Sequence, residues 1–239
     1  SDAAIEFVKN RSEEDLNEEI KMVKAQNLKI LTYQAPQYPE ALKQLNYPPP
    51  LLYAKGELRG SDKLAIAVVG TRKCSNYGKA AAKKLARELA SAGFTIVSGM
   101  ARGIDTFAHR AALEASGRTV AILGSGFNYI YPKSNSKLLS RITENGAALT
   151  EFNFFQKPRK WTFPQRNRII SGLTRGTLVV EAPESSGALI TASCALQQNR
   201  EVFAVPGDIR RSTCKGTNEL IKKGAKLVED LDDVIEEFE

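Results

Sequence analysis

From residue 64 onward the chain repeats one pattern: a short apolar run, a glycine-containing turn, then a stretch with helical spacing. Strands that alternate with helices of about 10–15 residues cannot close as hairpins. They pair in parallel, and their connecting helices must cover both faces of the sheet. The pattern therefore predicts an α/β fold with a largely parallel sheet and helices on both faces. In such open sheets a ligand sits beyond the carboxyl ends of the strands, near the point where the strand order reverses.

The first unit is Ala65-Ile-Ala-Val-Val-Gly-Thr-Arg-Lys-Cys-Ser-Asn-Tyr-Gly78. Five apolar residues stop at Gly70, which can take backbone angles closed to other residues. Ser75 or Asn76 can cap the helix expected from near Tyr77. A strand–turn–helix of this kind aims free backbone N–H groups at the space above the sheet edge, where they favour an anion. Arg72 and Lys73 add positive charge to the same turn.

Further strands are expected over 94–98, 119–123, 147–151, 177–181 and 201–205, with a short one at 226–228. Helices are expected over 77–92, 105–116, 134–145, 164–173 and 187–199, one between Gly216 and Gly224, and an acidic one from 231. Gly93, Gly117, Gly146 and Gly224 stand where C-terminal caps belong. The loops at 70–76, 99–104, 124–133, 152–163 and 182–187 should then meet at one edge. Ahead of this region, residues 1–28 have helical spacing, with Ile5, Phe7, Val8, Leu16, Ile20, Met22 and Val23 set among charges. Ser12 with Asp15 marks a helix start. Short strands at 28–32 and 51–56 flank a helix over 40–45 and the stiff Tyr47-Pro48-Pro49-Pro50. The division read from this is a helical segment and lead-in over 1–60, packed on one edge of the main sheet, followed by a Rossmann-like domain over 61–239 that ends in the acidic helix.

At 239 residues, 42% of them apolar, the chain can bury one full core. No apolar run reaches the roughly 20 residues of a membrane span, and no signal-peptide layout opens the sequence. Cys74, Cys194 and Cys214 are widely spaced and form no C-x-x-C pair. That argues against a disulfide framework or a zinc site and fits a reducing cytoplasm. The net charge of +7 is unevenly spread: −1 over residues 1–63, +15 over 64–228 and −7 over 229–239. The basic excess belongs to the region of the glycine turns. A polyanion partner is one reading of it, and a soluble basic surface is the other.

None of the glycine turns completes a nucleotide fingerprint. Gly70-Thr-Arg lacks the G-x-G-x-x-G spacing, Gly124-Ser-Gly126-Phe-Asn-Tyr129 has Tyr where the third glycine belongs, and no P-loop pattern occurs. A phosphate cradle is indicated, but a dinucleotide or ATP is not, and no cofactor or metal is expected. His109 is the sole histidine, which rules against Ser–His–Asp chemistry and a histidine-rich metal site. Its apolar neighbours Phe107, Ala108 and Ala112 suit a structural or surface role better than a general base. Asp105 reads as a helix cap, with a catalytic carboxylate as the alternative. Glu151 and Glu181 both end strands on the ligand edge, and such a pair can do acid–base work. No nucleophile accompanies them, so no catalytic residue is assigned and a binding protein is expected rather than an enzyme. A nucleotide- or sugar-phosphate-processing enzyme is the alternative.

The second informative stretch runs from Phe154 to Arg175. Lys157, Arg159, Lys160, Arg166 and Arg168 alternate there with Phe155, Trp161 and Phe163. Basic groups track a phosphate backbone while aromatic faces stack on unpaired bases, worth about 1–3 kcal/mol per base. Trp161 and Phe163 can equally be core anchors. Arg166 and Arg168 lie on different helix faces, so one can face a ligand while the other forms a buried ion pair.

Taken together the motifs resemble the DprA/Smf family of DNA-processing proteins. They are Val69-Gly-Thr-Arg72 with Ser75 and Tyr77-Gly78; Ser98-Gly-Met-Ala-Arg-Gly-Ile-Asp105 with Ala108-His109; Phe163-Pro-Gln-Arg-Asn-Arg-Ile-Ile-Ser-Gly172; Gly187-Ala-Leu-Ile-Thr191-Ala; Val205-Pro-Gly207; and Gly216-Thr-Asn218 with Leu220-Ile221. The resemblance runs from about Tyr38 to Val228. It implies an extended Rossmann-like fold that binds single-stranded DNA, protects incoming strands during natural transformation and loads the RecA recombinase. It also implies a homodimer that needs no cofactor. Arg72 matches the arginine of the family's glycine-turn motif, and Lys160, Phe163, Arg166 and Asn167 fall in or beside its F-P-x-R-N-R motif. These residues are DNA-contact candidates, with Gly70, Thr71, Lys73 and Ser125 of the glycine turns and with Lys133 from spacing alone.

Overall fold

Every residue from Ala65 to Val69 is buried, and the side chains alternate between two separate cores. Ala65, Ala67 and Val69 join one, and Ile66 and Val68 join the other. A strand buried on both sides belongs at the centre of a sheet covered on both faces. The computed structural model, which describes residues 13–238, has that architecture. The expected helix start at Ser12 and the apolar Ile5, Phe7 and Val8 lie outside the described residues.

In chain order the elements are α1 (Glu13–Ala25), β1 (Lys29–Thr32), α2 (Glu40–Lys43), β2 (Leu51–Gly56), β3 (Ala65–Val69), α3 (Asn76–Ser91), β4 (Thr95–Ser98), α4 (Ile104–Glu114), β5 (Thr119–Ile122), α5 (Ser136–Asn145), β6 (Ala147–Thr150), α6 (Thr162–Gly172), β7 (Gly176–Val179), α7 (Gly187–Gln197), β8 (Glu201–Ala204), α8 (Lys215–Lys222), β9 (Lys226–Leu227) and α9 (Asp232–Ile235). The strands form one sheet in the order β1-β2-β6-β5-β4-β3-β7-β8-β9. β3 to β9 pair in parallel, and β1 and β2 add an antiparallel margin on β6, with Tyr53 opposite Thr150. The chain runs outward from β3 to β6, returns to β7 beside β3, and runs outward again to β9. The strand order therefore reverses between β3 and β7, and their connections leave in opposite directions there.

Helices α6 and α7 pack on one face through Ile169, Ile170, Ala188 and Ala192. Helices α3 and α4 cover the other through Leu85, Leu89, Ala108 and Ala112. Full burial of a side chain such as Ile66 stabilises by about 1.5–3 kcal/mol, so the doubly covered strands hold most of the stability.

The expected glycine caps divide into two kinds. Gly93 and Gly224 have positive φ, +92° and +99°, and close their helices as expected. After α4 it is Ser116, at φ +56°, that takes the left-handed position. Gly146 does stand at the C-cap of α5, but in extended backbone at φ −151°, and a Cβ there would meet the Thr119 carbonyl; Gly117 instead permits close approach, since a Cβ on it would lie 2.7 Å from that of Ala90.

The acidic C-terminal segment closes the opposite edge of the sheet from the loops expected to bind. Lys226 pairs with Glu236 at 2.9 Å and Glu237 at 3.0 Å. Phe238 packs against Phe94 and Phe203, and the Arg175 guanidinium sits 4.7 Å from its ring centroid.

Candidate nucleic-acid interface

Beyond the C-terminal ends of β3, β5, β6 and β7 the connections converge on a groove of about 740 Å³. Gly70, Thr71 and Arg72 line it from the turn after β3, and Tyr131 from the loop after β5. Arg159, Lys160 and Phe163 come from the β6–α6 connection and the first turn of α6, and Ser185, Ser186 and Gly187 from the start of α7.

The Gly70 turn is held from below. The Thr71 N–H donates to the Glu181 carbonyl at 2.7 Å, and the Ile104 N–H donates to the Thr71 carbonyl at 3.3 Å. A Cβ at Gly70 would lie 2.5 Å from the Ile104 side chain. Ser75 caps α3 by accepting from the Gly78 N–H at 3.1 Å. Its own N–H donates to Glu181 Oε2 at 2.8 Å. Glu181 is fully buried, and Gly78 leaves the space its carboxylate fills. A buried carboxylate at a helix N-terminus is stabilised by the helix dipole and by the backbone N–H it accepts.

Glu181 is therefore a structural anchor of the turn and not half of an acid–base pair with Glu151. The Glu151 carboxylate is bound to Arg168, which also donates to the Tyr47 carbonyl at 2.5 Å. Burial pushes the Glu151 carboxyl up and Arg168 pulls it back. The ion pair expected for one of the two α6 arginines thus belongs to Arg168.

Arg166 is 4% exposed and forms part of the groove floor rather than a free arm. It donates to the Gly99 carbonyl at 2.6 Å and to the Ile122 carbonyl, and its Nε donates to Asn167 Oδ1 at 3.2 Å. Burial pushes its guanidinium down to about 10 while Asp105 holds it up. It therefore stays a cation at neutral pH and keeps the floor positive. Asn167 donates to the Gly187 carbonyl at 3.2 Å, tying α6 to α7. Asp105 is not a helix cap, since that position belongs to Gly103. Its Oδ2 accepts from the Gly99 N–H at 3.1 Å and the Ala101 N–H at 3.2 Å. Burial pushes its carboxyl up against the pull of Arg166.

Arg72 is exposed, and its guanidinium carbon lies 5.1 Å from the Phe163 ring centroid. Tyr131 packs on the same ring at 5.7 Å. A Cβ at Gly124 would come within 2.7 Å of that ring, so the β5 glycine turn makes room for it. Phe163 is half-buried in the first turn of α6 rather than ahead of it.

Of the DNA-contact candidates, Gly70, Thr71, Arg72, Lys160, Phe163, Arg166 and Asn167 come together in the groove. Lys73 and Lys133 are exposed outside its lining. Ser125 is corrected: it is 2% exposed, and its hydroxyl is committed to the Tyr129 carbonyl at 2.7 Å, so it shapes the loop. Trp161 stands 55% exposed, edge-on to Phe152 and outside the lining. Arg159, named in the basic–aromatic stretch but not among the contact candidates, also lines the groove, and sequence reasoning missed Tyr131 and the Ser185–Thr191 wall. The Gly187-Ala-Leu-Ile-Thr191 motif was a signal for the wall.

His109 is fully buried, with Nδ1 2.6 Å from Thr119 Oγ1. The Thr119 hydroxyl donates onward to the Ile96 carbonyl at 2.7 Å. Burial pushes the imidazole down to about 3, so the ring is neutral and structural. No helix among the described residues is long and apolar enough to cross a membrane.

The family model for DNA recombination-mediator protein A matches residues 29–239. The chain is 42% identical to DNA processing protein DprA of Bacillus subtilis over 89% of its own length and 72% of that protein's. It is 45% identical to protein Smf of Escherichia coli over 84% of its length, spanning 54% of that protein. The X-ray structure of DprA from Streptococcus pneumoniae superposes with a TM-score of 0.89 at 39% identity, over 98% of this chain and 81% of that one. A Helicobacter pylori DprA structure, described for its single-stranded DNA binding mode, superposes with a TM-score of 0.79 at 32% identity, over 88% of this chain and 95% of that one. The nine-stranded, mostly parallel sheet is Rossmann-like, and Arg72, Arg159, Lys160 and Arg166 line the groove at its switch point. Within that class the chain belongs to the DprA/Smf family.

Proposed function

We propose that the chain binds single-stranded DNA in the groove at the β3/β7 switch point, without chemistry on the strand. The observation that carries this is the Arg72 guanidinium stacked on Phe163, with Lys160 and Arg159 on the same rim. Cations beside an aromatic face suit phosphates and an unpaired base together. In this reading Gly70, Thr71, Arg72 and Lys160 hold the backbone and Phe163 stacks on a base. Arg166 and Asn167 build the floor, and Lys73 and Lys133 guide the strand at the margins. The strand-end carboxylates, Glu151 and Glu181, are committed to Arg168 and to the Ser75 N–H, which supports a binding role over an enzymatic one.

Family membership supports the wider reading: a cytoplasmic homodimer that protects incoming strands during natural transformation and hands them to the RecA recombinase. Titrating the protein into labelled oligo-dT at several salt concentrations tests the central claim. The expected result is binding whose log–log salt slope is about −0.7 per phosphate neutralised. Absent or salt-insensitive binding overturns it, and turnover of nucleoside monophosphates would favour an enzyme instead.

A further inference from the structure

The basic surface does not end at the groove. Helix α4 starts at its rim, where Asp105 joins the lining and the Ile104 N–H is bonded to Thr71, and α3 follows the turn that carries Arg72. The two helices pack side by side on the sheet face opposite α6 and α7, and their outer seam begins beside the Arg72 turn at the rim. Lys79 and Lys83 of α3 lie over one ring of α4, that of Phe107, at 5.2 and 5.9 Å from its centroid. Arg110 follows one turn along α4, exposed. Among the described residues, none of these three cations has an ion-pair partner. The first cross-seam acid is at the far end, where Glu114 of α4 takes Arg87 of α3 at 3.2 Å.

Two like charges four residues apart on a helix repel. The electron-rich face of Phe107 offsets part of that repulsion. An anion seated between the two ammonium groups would relieve the rest. Charge complementarity and continuity with the groove select a phosphodiester backbone as the occupant, because only a linear polyanion is held at the rim and along the seam at once.

We propose that the Lys79–Lys83–Phe107–Arg110 seam is a second binding track, which carries the phosphodiester backbone of the strand after it leaves the groove. This rests on the groove reading above, and the two separate by strand length. A short strand of about 4 nucleotides, near the lower limit of single-strand site sizes, fills the groove alone, whereas one of about 30 also reaches the seam.

The test compares wild type with the combined Lys79→Ala, Lys83→Ala and Arg110→Ala variant on oligo-dT of both lengths, with Lys79→Arg/Lys83→Arg as a charge-preserving control. Far-ultraviolet circular dichroism and the urea midpoint check the fold. The expected result is an unchanged short-strand affinity, with a loss of about tenfold on the long strand at low salt. The long-strand salt slope becomes shallower by about 2, at about 0.7 for each of three phosphates. The arginine control restores both. Equal affinity of wild type and variant for the long strand overturns the track, and so does an equal loss on both lengths. Failure of wild type to bind either strand overturns the groove reading first and the track with it.

Discussion

The guanidinium of Arg72 lies over the ring of Phe163, 5.1 Å from its centroid, although 91 positions separate the two residues in sequence. One comes from the turn after β3, the other from the first turn of α6, and the sheet brings them together at its switch point. A cation parked on an aromatic face is held by about 0.5–1 kcal/mol at an exposed site. That is little enough for a nucleotide base to compete for the same face, since stacking of a base is worth about 1–3 kcal/mol.

Replacing Phe163 with Ala therefore removes a stacking surface without removing charge. Oligo-dT affinity should fall by about 1–3 kcal/mol with the salt slope unchanged. Fluorescence anisotropy at three salt concentrations reads both quantities. A changed slope with unchanged low-salt affinity would contradict the assignment.

Arg72→Ala should do the reverse. The slope becomes shallower by about 0.7, one phosphate's share, and the loss is the same on dT, dA and mixed sequences. A loss confined to one base would show that Arg72 reads base edges instead.

Glu181 sets the turn that presents Arg72. Glu181→Ala leaves the Ser75 N–H without its acceptor and should lower stability by about 1–3 kcal/mol, read as a drop in the urea midpoint. DNA affinity should fall as well. Glu181→Gln keeps an acceptor oxygen and should recover part of both. Affinity that stays at the wild-type level in the alanine variant would separate the anchor from the site.

His109 makes stability depend on pH. Its folded value, about 3, lies below the unfolded value of about 6.5. The neutral ring thus stabilises the fold fully above pH 6.5 or so, and that contribution is lost as pH falls toward about 3. Between pH 7 and pH 5 it amounts to about 2 kcal/mol. The wild type should lose about that much more than His109→Asn over this interval in urea unfolding. Parallel pH profiles for the two proteins would overturn the assignment.

Much of the fold was legible in the sequence, because strand and helix period are local properties of sequence. The runs at 64–69, 94–98 and 119–123 became β3, β4 and β5 within a residue or so at each end. What local pattern could not reveal was partner choice. Arg166 and Arg168 are both arginines on one helix, yet Arg168 meets Glu151 at the sheet edge, while Arg166 turns under the Gly99 and Ile122 carbonyls. Ser125 sits in a glycine turn as plausible as the one at Gly70, but Tyr129 takes its hydroxyl. Gly117 stands where a cap belongs, but Ser116 takes the left-handed position and Gly117 serves the approach of α4 to α3 instead.

The sequence by itself determined the β/α alternation, the parallel sheet, the edge at which the glycine turns gather and the positive sign of the region that carries them. These follow from periodicity, glycine placement and charge, which need no knowledge of distant neighbours. The tertiary structure alone decided which cations face the groove, which are buried as its floor, and which line the α3–α4 seam. That choice depends on the strand order, since placing β7 beside β3 is what brings Glu181 under the Gly70 turn and sets Arg72 against Phe163.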